Sequence, residues 1–492
     1  MNPLKKLAGQ TAIYGLPSIV GRLLNYLLVP LHTAIFAPES FGVIVEMYSY
    51  VSFLVVLLTY GMETAYFRFF SKDHPEKGKV FSTVLISLFS TTALFIAVST
   101  LFSQSIADYL GYSDNSEYII WFAFIVGLDA ISSIPLARLR IENKAFRFAG
   151  INFASILINI GLNVFWIGYC IPAAARGESN FLLDTFYTDQ IGVGYVFLAN
   201  LFATLVKFLL LSPQFFRIRF QFSKNLLRQL LLYGSPLLIS SLAIIINENA
   251  DKVMLKWILS PKIGVEDATE VVGIYGAVYK LSIIINLFIQ AFRYAAEPFF
   301  FNQEKEKNSR AIYATIMKFF VILCAFIFLA VSLNLDILKV LFLKKEAYWA
   351  GLKVVPILLF ANIFLGIFYN LSVWYKLGEK TTFAAYIAIF GAGLTIGLNF
   401  LLIPMFSYVG SAWTTFICYL CMVTISYFFG QKYYPISYPI KKIFLYLFLA
   451  VALFFIASAL SIPFGALQLT VHSILLIIFL VTAFILEYPK KA

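Results

Sequence analysis

Fourteen apolar segments, separated by short polar connections, leave this chain few ways to fold. Each segment is long enough to cross about 30 Å of hydrocarbon as an α-helix, which rises about 1.5 Å per residue. The chain is therefore predicted to be an all-α, polytopic membrane protein with fourteen transmembrane helices. The predicted spans are 11–36, 42–67, 80–107, 117–137, 147–171, 190–213, 229–250, 271–296, 312–334, 350–374, 381–403, 409–430, 441–461 and 465–486.

The composition agrees with this interpretation. The chain is 61% hydrophobic and only 13% charged, whereas a soluble domain is about 45–50% apolar and about 25% charged. The apolar stretches are continuous rather than alternating, which favours helices over strands. The four cysteines lie in or beside apolar segments, where packing is a better interpretation than redox or metal chemistry.

The distribution of positive charge predicts the orientation. If the N-terminus is cytoplasmic, 24 of the 37 lysines and arginines fall in the inner segments and six in the outer segments. Cytoplasmic loops of membrane proteins carry such an excess. Both termini are therefore predicted to be cytoplasmic. The net charge of +12 is explained by these loops, so no nucleic-acid partner is expected.

Short motifs recur in the same order in the two halves of the chain. YGLP at 14–17 returns as YGSP at 233–236, and IGLN at 160–163 returns at 396–399. An even number of spans per repeat makes the repeats parallel. The predicted domains are an N-terminal lobe of six helices (1–220), a second six-helix lobe (221–435) and two extra helices (436–492).

Charged residues within the spans are candidates for function, because a charge in mid-membrane costs about 2.5–3.5 kcal/mol. Arg22 and Lys280 have no acidic residue three or four positions away. They are predicted to contact an anionic substrate, with pairing to a carboxylate on another helix, or snorkelling, as the alternatives. A cationic cavity suits phosphate in particular.

Other charges have partners nearby in the sequence. Glu248 and Lys252 are four residues apart, as are Arg293 and Glu297, and Arg68 follows Glu63 closely. Such spacing favours ion pairs on one helix face. Two further acidic residues are candidates for function: Asp129 lies in the middle of the fourth span, and Asp251 lies at the end of the seventh.

No enzyme motif is evident. The three histidines (His32, His74 and His472) are too scattered for a metal site, and there is no Walker A loop. The chain is therefore predicted not to be an enzyme and to need no cofactor.

The sequence resembles the multidrug/oligosaccharidyl-lipid/polysaccharide exporter superfamily, and within it the polysaccharide-biosynthesis flippases. The resemblance covers about residues 5–435. It is carried by the segments APESFGVIVEMYSYVSFL (37–54), LTYGMETAYFRFF (58–70), NENADKVML (247–255), VGIYGAVYKLSIIINLFIQAFRYAAEPFFF (272–301) and YVGSAWTTF (408–416).

The resemblance implies a carrier of a polyprenyl-diphosphate-linked oligosaccharide. Its cargo would pass from the inner to the outer leaflet of the bacterial plasma membrane by alternating access, for O-antigen, capsule or exopolysaccharide assembly. Membrane lipids, H⁺ or Na⁺, and polysaccharide assembly proteins are the other expected partners. The positions that would supply a cationic cavity are Arg22, Lys280, Arg293 and Arg68. The positions that would bind a coupling ion, or pair with each other, are Asp251, Glu248, Lys252 and Asp129.

Three alternatives stay open at this point. A cation-coupled multidrug exporter of the same superfamily would use an acidic cavity residue, and Asp129 is a candidate for that residue. A lipid II flippase would look much the same in sequence. A membrane glycosyltransferase or polymerase is disfavoured, because the chain lacks a long outer loop to hold an acceptor.

Overall fold

The computed structural model describes residues 20–21, 23–71, 77–215, 221–303, 308–378, 380–460 and 462–488. Within them, thirteen helices are long and apolar enough to cross a membrane, and Leu23–Ile35 is a shorter apolar helix. The predicted spans from the second to the fourteenth are all confirmed. The rest of the predicted first span, with Arg22, lies outside the described residues.

The membrane helices are numbered in chain order. They are α1 Leu23–Ile35, α2 Pro38–Phe70, α3 Gly78–Leu101, α4 Ser116–Ile141, α5 Ala145–Ala175, α6 Gly194–Phe215, α7 Lys224–Ile263, α8 Val265–Tyr294, α9 Ser309–Leu333, α10 Glu346–Leu377, α11 Thr382–Phe406, α12 Tyr408–Tyr433, α13 Ile440–Leu460 and α14 Ala466–Glu487. The helix of α8 continues to Gln303. Shorter helices, Ser103–Leu110, Phe181–Phe186 and Leu335–Phe342, lie between spans.

Helix α2 is interrupted near its second end. Its helical segments are Pro38–Thr59 and Met62–Ser71, and Tyr60 and Gly61 between them have positive φ angles. A Cβ on Gly61 would lie 2.5 Å from the carbonyl oxygen of Gly234 on α7. The glycine therefore allows both the bend and the close backbone contact. Gly234 belongs to the YGSP repeat, which thus marks a helix–helix contact.

Helix α7 is much longer than the sequence predicts. It runs for 40 residues, or about 60 Å, so it extends well beyond a hydrocarbon core. The predicted span ended at residue 250, which wrongly placed Lys256 in a loop. The N-cap is Ser223, whose side chain accepts a hydrogen bond from the Leu226 N–H. The helix ends at Gly264, whose φ is +91°.

The chain divides into two compact units, residues 1–273 and 274–492. In the first unit, α6 packs against α4 and α5, α3 packs against α4, and α7 packs against α2. The core between α2, α3, α4 and α7 is apolar and includes the fully buried Met62, Tyr66 and Leu88. The predicted lobe boundaries are drawn from the repeat and remain a prediction.

In the second unit, α12 packs against both α10 and α11. Helix α9 packs against α13 and α14, which ties the last two helices to the body of the unit. Glu487 at the end of α14 accepts hydrogen bonds from Tyr446 Oη at 2.6 Å and Lys442 Nζ at 2.9 Å, and it also pairs with Lys318. At the other end of α14, Gln468 donates to Asp336.

Candidate functional site

A narrow cleft in the second unit combines apolar walls with cationic side chains. It lies between α8 and α10. The exposed side chain of Arg293 lines it, with its guanidinium carbon 4.8 Å from the centre of the Tyr369 ring. Lys376, near the end of α10, lines the same cleft. The remaining lining residues are Ile289, Phe292, Ala296, Phe300, Gly366, Asn370, Ser372, Val373 and Leu377.

This arrangement suits an amphiphilic anion. A guanidinium presents a planar fork of donors that matches phosphate oxygens, and the neighbouring Phe and Ile side chains give the cleft an apolar wall. The cavity volume is about 20 Å³, which holds about one water molecule. The enclosed space is therefore too small for a diphosphate or an apolar chain, and the exposed Arg293 is the group that an anion could reach from outside it.

Lys280 lies on the same helix as Arg293 but does not share the cleft. From the helical rise and twist, the two residues are about 20 Å apart along the axis and about 140° apart around it. Lys280 is half-buried and lies among the fully buried residues of α8. Two of the four predicted cationic positions therefore occupy different places on one helix.

The other two predicted cations belong to the first half of the chain. Arg22 lies outside the described residues. The exposed Arg68 places its guanidinium carbon 4.3 Å from the centre of the Tyr233 ring on α7. Glu63, one turn earlier, pairs with Arg140 on α4. This cross-helix pair was not predicted.

Asp129 is held in an ion pair that the sequence did not reveal. Its carboxylate pairs with Lys207 on α6, and both side chains are partly buried, at 29% and 17% exposure. Nearby on α6, Asn200 donates to the hydroxyl of Tyr48 at 2.7 Å and accepts from Thr204. Asp129, which was predicted to bind an ion, is therefore neutralised by Lys207.

The charges near the end of α7 also make contacts. Lys252 Nζ lies 3.1 Å from Asp251 Oδ1 and 2.9 Å from the carbonyl oxygen of Glu248. Glu248 and Lys252 are therefore close together, as predicted, but Lys252 donates its hydrogen bond to the backbone carbonyl of Glu248. Asp251 and Lys252 are both buried. The side chain of Glu297, the predicted partner of Arg293, is outside the described residues.

A second ion pair is buried one turn further along α7. Lys256 Nζ lies 2.7 Å from Glu46 Oε2, and the two side chains are 6% and 0% exposed. Lys256 also donates to the carbonyl oxygen of Leu110 at 2.7 Å. Tyr50 and Tyr112 both donate to the Glu46 carboxylate. Burial raises the pKa of Tyr112, and the neighbouring Glu46 charge raises it further, so this phenol stays a donor.

Sequence reasoning missed Lys256 and Lys207 as ion-pair partners. Lys252 and Lys256 are four residues apart, so the helical period alone indicated that the charged face of α7 continues. No comparable local signal pointed to Lys207, because its partner is 78 residues away in the chain. Contacts of that kind depend on how the helices pack.

The fold has known counterparts among membrane transporters. The chain superposes on the lipid II flippase MurJ in an inward closed conformation with a TM-score of 0.73 and 14% identity, covering 96% of this chain and 98% of that one. An inward-facing multidrug resistance MATE family transporter gives a TM-score of 0.62 and 16% identity, with 86% and 97% covered. A transporter from Pyrococcus furiosus, described as having a binding pocket of reversed polarity, gives 0.57 and 15%, with 88% and 98% covered.

These similarities define the class: a multi-pass membrane protein with the fold of the multidrug/oligosaccharidyl-lipid/polysaccharide transporters. The model of the family described as "Polysaccharide biosynthesis protein" matches residues 7–303, more than half of the chain. The chain belongs to this family. No curated protein sequence matches it.

Proposed function

We propose that this protein is a flippase that moves a polyprenyl-diphosphate-linked oligosaccharide from the inner to the outer leaflet of the bacterial inner membrane. The cargo would serve assembly of a cell-surface polysaccharide. Membership of the polysaccharide biosynthesis family and the transporter fold support the proposal. The cytoplasmic location of both termini and the two six-helix lobes, 1–220 and 221–435, belong to the same proposal.

The observation that carries the proposal is the cleft at Arg293. An isoprenoid diphosphate has a doubly anionic group joined to a long apolar chain. The cleft places a guanidinium and Lys376 beside phenylalanine and isoleucine side chains. Arg293 lies toward the end of α8 that the predicted topology puts in the cytoplasm, where the cargo is made available.

The transport step is favoured by charge. An inside-negative membrane potential favours outward movement of an anion by about 2.3 kcal/mol per charge per 100 mV. In the proposed cycle the diphosphate docks at the predicted inner end of the membrane, where Arg293 and Arg68 lie. It then passes Arg22 and Lys280 and is released outside. Return of the empty carrier would use H⁺ or Na⁺ at Glu248 or Asp251, with Lys252 as the local counter-charge. Asp129, the other candidate from the sequence, is neutralised by Lys207.

Two related carriers are the alternatives. A multidrug exporter would bind organic cations, and the pairing of Asp129 with Lys207 disfavours this because it neutralises the proposed cation-binding carboxylate. A lipid II flippase would use the same diphosphate chemistry, and the structural similarity to MurJ keeps it in consideration. The two cargoes carry the same diphosphate charge and differ in the attached glycan, so only the glycan distinguishes the two functions.

A binding measurement tests the site. Purified protein in detergent is titrated with fluorescent undecaprenyl diphosphate, and with undecaprenol as the uncharged control. We expect Arg293→Gln to weaken diphosphate binding by about tenfold or more, the scale of one lost charge-assisted contact, with little change for undecaprenol. Arg310, which stacks on Tyr434 outside the cleft, gives the matched control Arg310→Gln. Equal affinities for wild type and Arg293→Gln would remove the cleft from the proposal.

A further inference from the structure

The first half of α2 presents one continuous face to the end of α7 and the start of α8. Pro38, Gly42, Glu46 and Tyr50 follow each other at intervals of four residues, so they lie along one side of the helix. Within the first compact unit, Pro38 and Gly42 approach the start of α8, and Glu46 and Tyr50 contact the end of α7. We call this contact the α2 seam.

At one end of the α2 seam, the backbones touch. A Cβ on Gly42 would lie 2.0 Å from the carbonyl oxygen of Thr269, and a Cβ on Gly273 would lie 1.8 Å from the carbonyl oxygen of Pro38. Any other residue at either glycine would push the helices apart. The two glycines thus permit a closure without space for water or cargo at this end.

One turn deeper, the α2 seam is closed by charge. Glu46 and Lys256 are both buried, and their hydrogen-bond partners come from the α2 seam and from the end of the helix Ser103–Leu110 with the turn that follows it. Gly111 shapes that turn with a φ of +80°, so that Leu110 and Tyr112 both reach the pair. Trp257 donates to the hydroxyl of Tyr50 at 2.7 Å and covers the next turn.

A buried ion pair contributes little net stability to a contact between two helices. Desolvating each ion costs several kcal/mol, and well-packed apolar side chains of the same volume often give equal or greater stability. Breaking such a pair from one side, in contrast, leaves an uncompensated charge that favours any state in which it meets water. An ion pair therefore suits a contact that opens and closes better than one that stays closed.

We propose that Glu46 and Lys256 form a latch that holds the α2 seam shut at its predicted outer end, and that the latch opens once in each transport cycle. The predicted lobes place α2 in 1–220 and α7 and α8 in 221–435, so the proposed outward opening would separate helices that lie here in one compact unit. The inference rests on the proposed carrier function for its role in a cycle. The closed contact itself does not depend on that role.

Accessibility of a reporter cysteine tests the closed state. Ser49 on α2 is 3% exposed, one turn deeper than Glu46, and Ser49→Cys is placed in a variant whose four native cysteines are replaced. The protein is reconstituted in vesicles and treated from each side with a membrane-impermeant thiol reagent. We expect little labelling of the parent and about tenfold faster labelling, from the predicted outer side, after Lys256→Met.

Two further variants separate a latch from general loosening. The double variant Glu46→Leu/Lys256→Met removes the lone charge, so its labelling should return to the parent rate. Arg138→Met breaks a partly exposed ion pair with Glu142 in the same unit and should leave labelling unchanged. Slow labelling of Lys256→Met, or a double variant as accessible as the single one, would overturn the latch.

Cross-linking tests the opening, and it also applies if Lys256→Met does not fold. Tyr50→Cys and Trp257→Cys are joined by a short cleavable reagent, and leaflet reversal of a polyprenyl-diphosphate lipid is followed. The cross-link should stop reversal and cleavage should restore it. Unchanged reversal after complete cross-linking would contradict the latch. If the uncross-linked protein reverses no lipid, the proposed function fails, while the labelling result still decides whether the seam is latched.

Discussion

At the scale of single residues, three ion pairs of the described chain join charges on different helices. Asp129 pairs with Lys207, Glu46 with Lys256 and Glu63 with Arg140. Each pair joins residues far apart in the sequence, so each fixes the distance between two helices. For these pairs, the cost of placing a charge in a membrane span is offset by a contact between two helices, whereas the buried Asp251 and Lys252 are neighbours on α7.

The Asp129–Lys207 pair gives a prediction about stability. Lys207→Met should lower the free energy of unfolding by about 1–3 kcal/mol, because a partly buried carboxylate loses its partner. The double variant Asp129→Asn/Lys207→Met should recover most of this loss. Both are measured by thermal unfolding in detergent. Arg176→Met, in an exposed pair with Glu178, is the control and should stay within about 0.5 kcal/mol. A Lys207→Met variant as stable as wild type would show that the pair contributes nothing.

Asp336 gives a prediction about pH. It lies between spans, where burial alone would raise the pKa of its carboxyl, but hydrogen bonds from Lys339 and Gln468 outweigh this and hold the pKa below the ordinary aspartate value. Because the folded-state pKa is lowered, the stabilisation is complete above the unfolded pKa and is lost as pH falls through the folded value. Thermal unfolding of Asp336→Asn should therefore differ from wild type at pH 7, and this difference should shrink below about pH 3.8. A constant difference across this range would exclude a contribution from the charge.

At the scale of elements, α2 and α7 both depart from a plain apolar span, and both departures involve contacts with other helices. Helix α2 bends at Tyr60–Gly61, where it meets Gly234 of α7. Helix α7 continues past the predicted membrane boundary and carries Lys256 into a buried position. Hydropathy alone marks where a helix crosses a membrane, but it does not show where a helix bends or how far it continues.

The α2 bend gives a prediction at this scale. Gly61→Ala should destabilise the protein by more than about 1 kcal/mol, since alanine is strained at a φ of +73° and its Cβ would meet the Gly234 carbonyl. Gly161 on α5 has no atom near its would-be Cβ, so Gly161→Ala is the matched control. That control should be neutral or more stable by about 0.5–1 kcal/mol. Thermal unfolding of the two variants side by side decides the matter, and equal behaviour would refute the role of the bend.

At the scale of the whole molecule, much of the architecture is predictable from the sequence. Apolar runs are long and uninterrupted, so the second to fourteenth spans are each located by the sequence, although the seventh was predicted to end 13 residues too early. The paired charges were harder to predict. Arg293 and Asp129 were identified because a charge in an apolar run is conspicuous, whereas Lys376 and Lys207 became visible as partners only once α8 and α10, or α4 and α6, were packed.

The proposed function, movement of an anionic lipid-linked oligosaccharide between leaflets, can be measured directly. Purified protein in proteoliposomes is supplied with a fluorescent polyprenyl-diphosphate oligosaccharide, and the fraction in the outer leaflet is measured by quenching. Lipid II and a cationic dye are measured in parallel.

We predict rapid reversal of the oligosaccharide lipid, slow reversal in Arg293→Gln and no movement of the dye. Dye transport without reversal of either lipid would contradict the account and would identify a multidrug exporter. Reversal of lipid II alone would be consistent with the cationic cleft as the binding site, but it would show that lipid II is the cargo and not the oligosaccharide lipid.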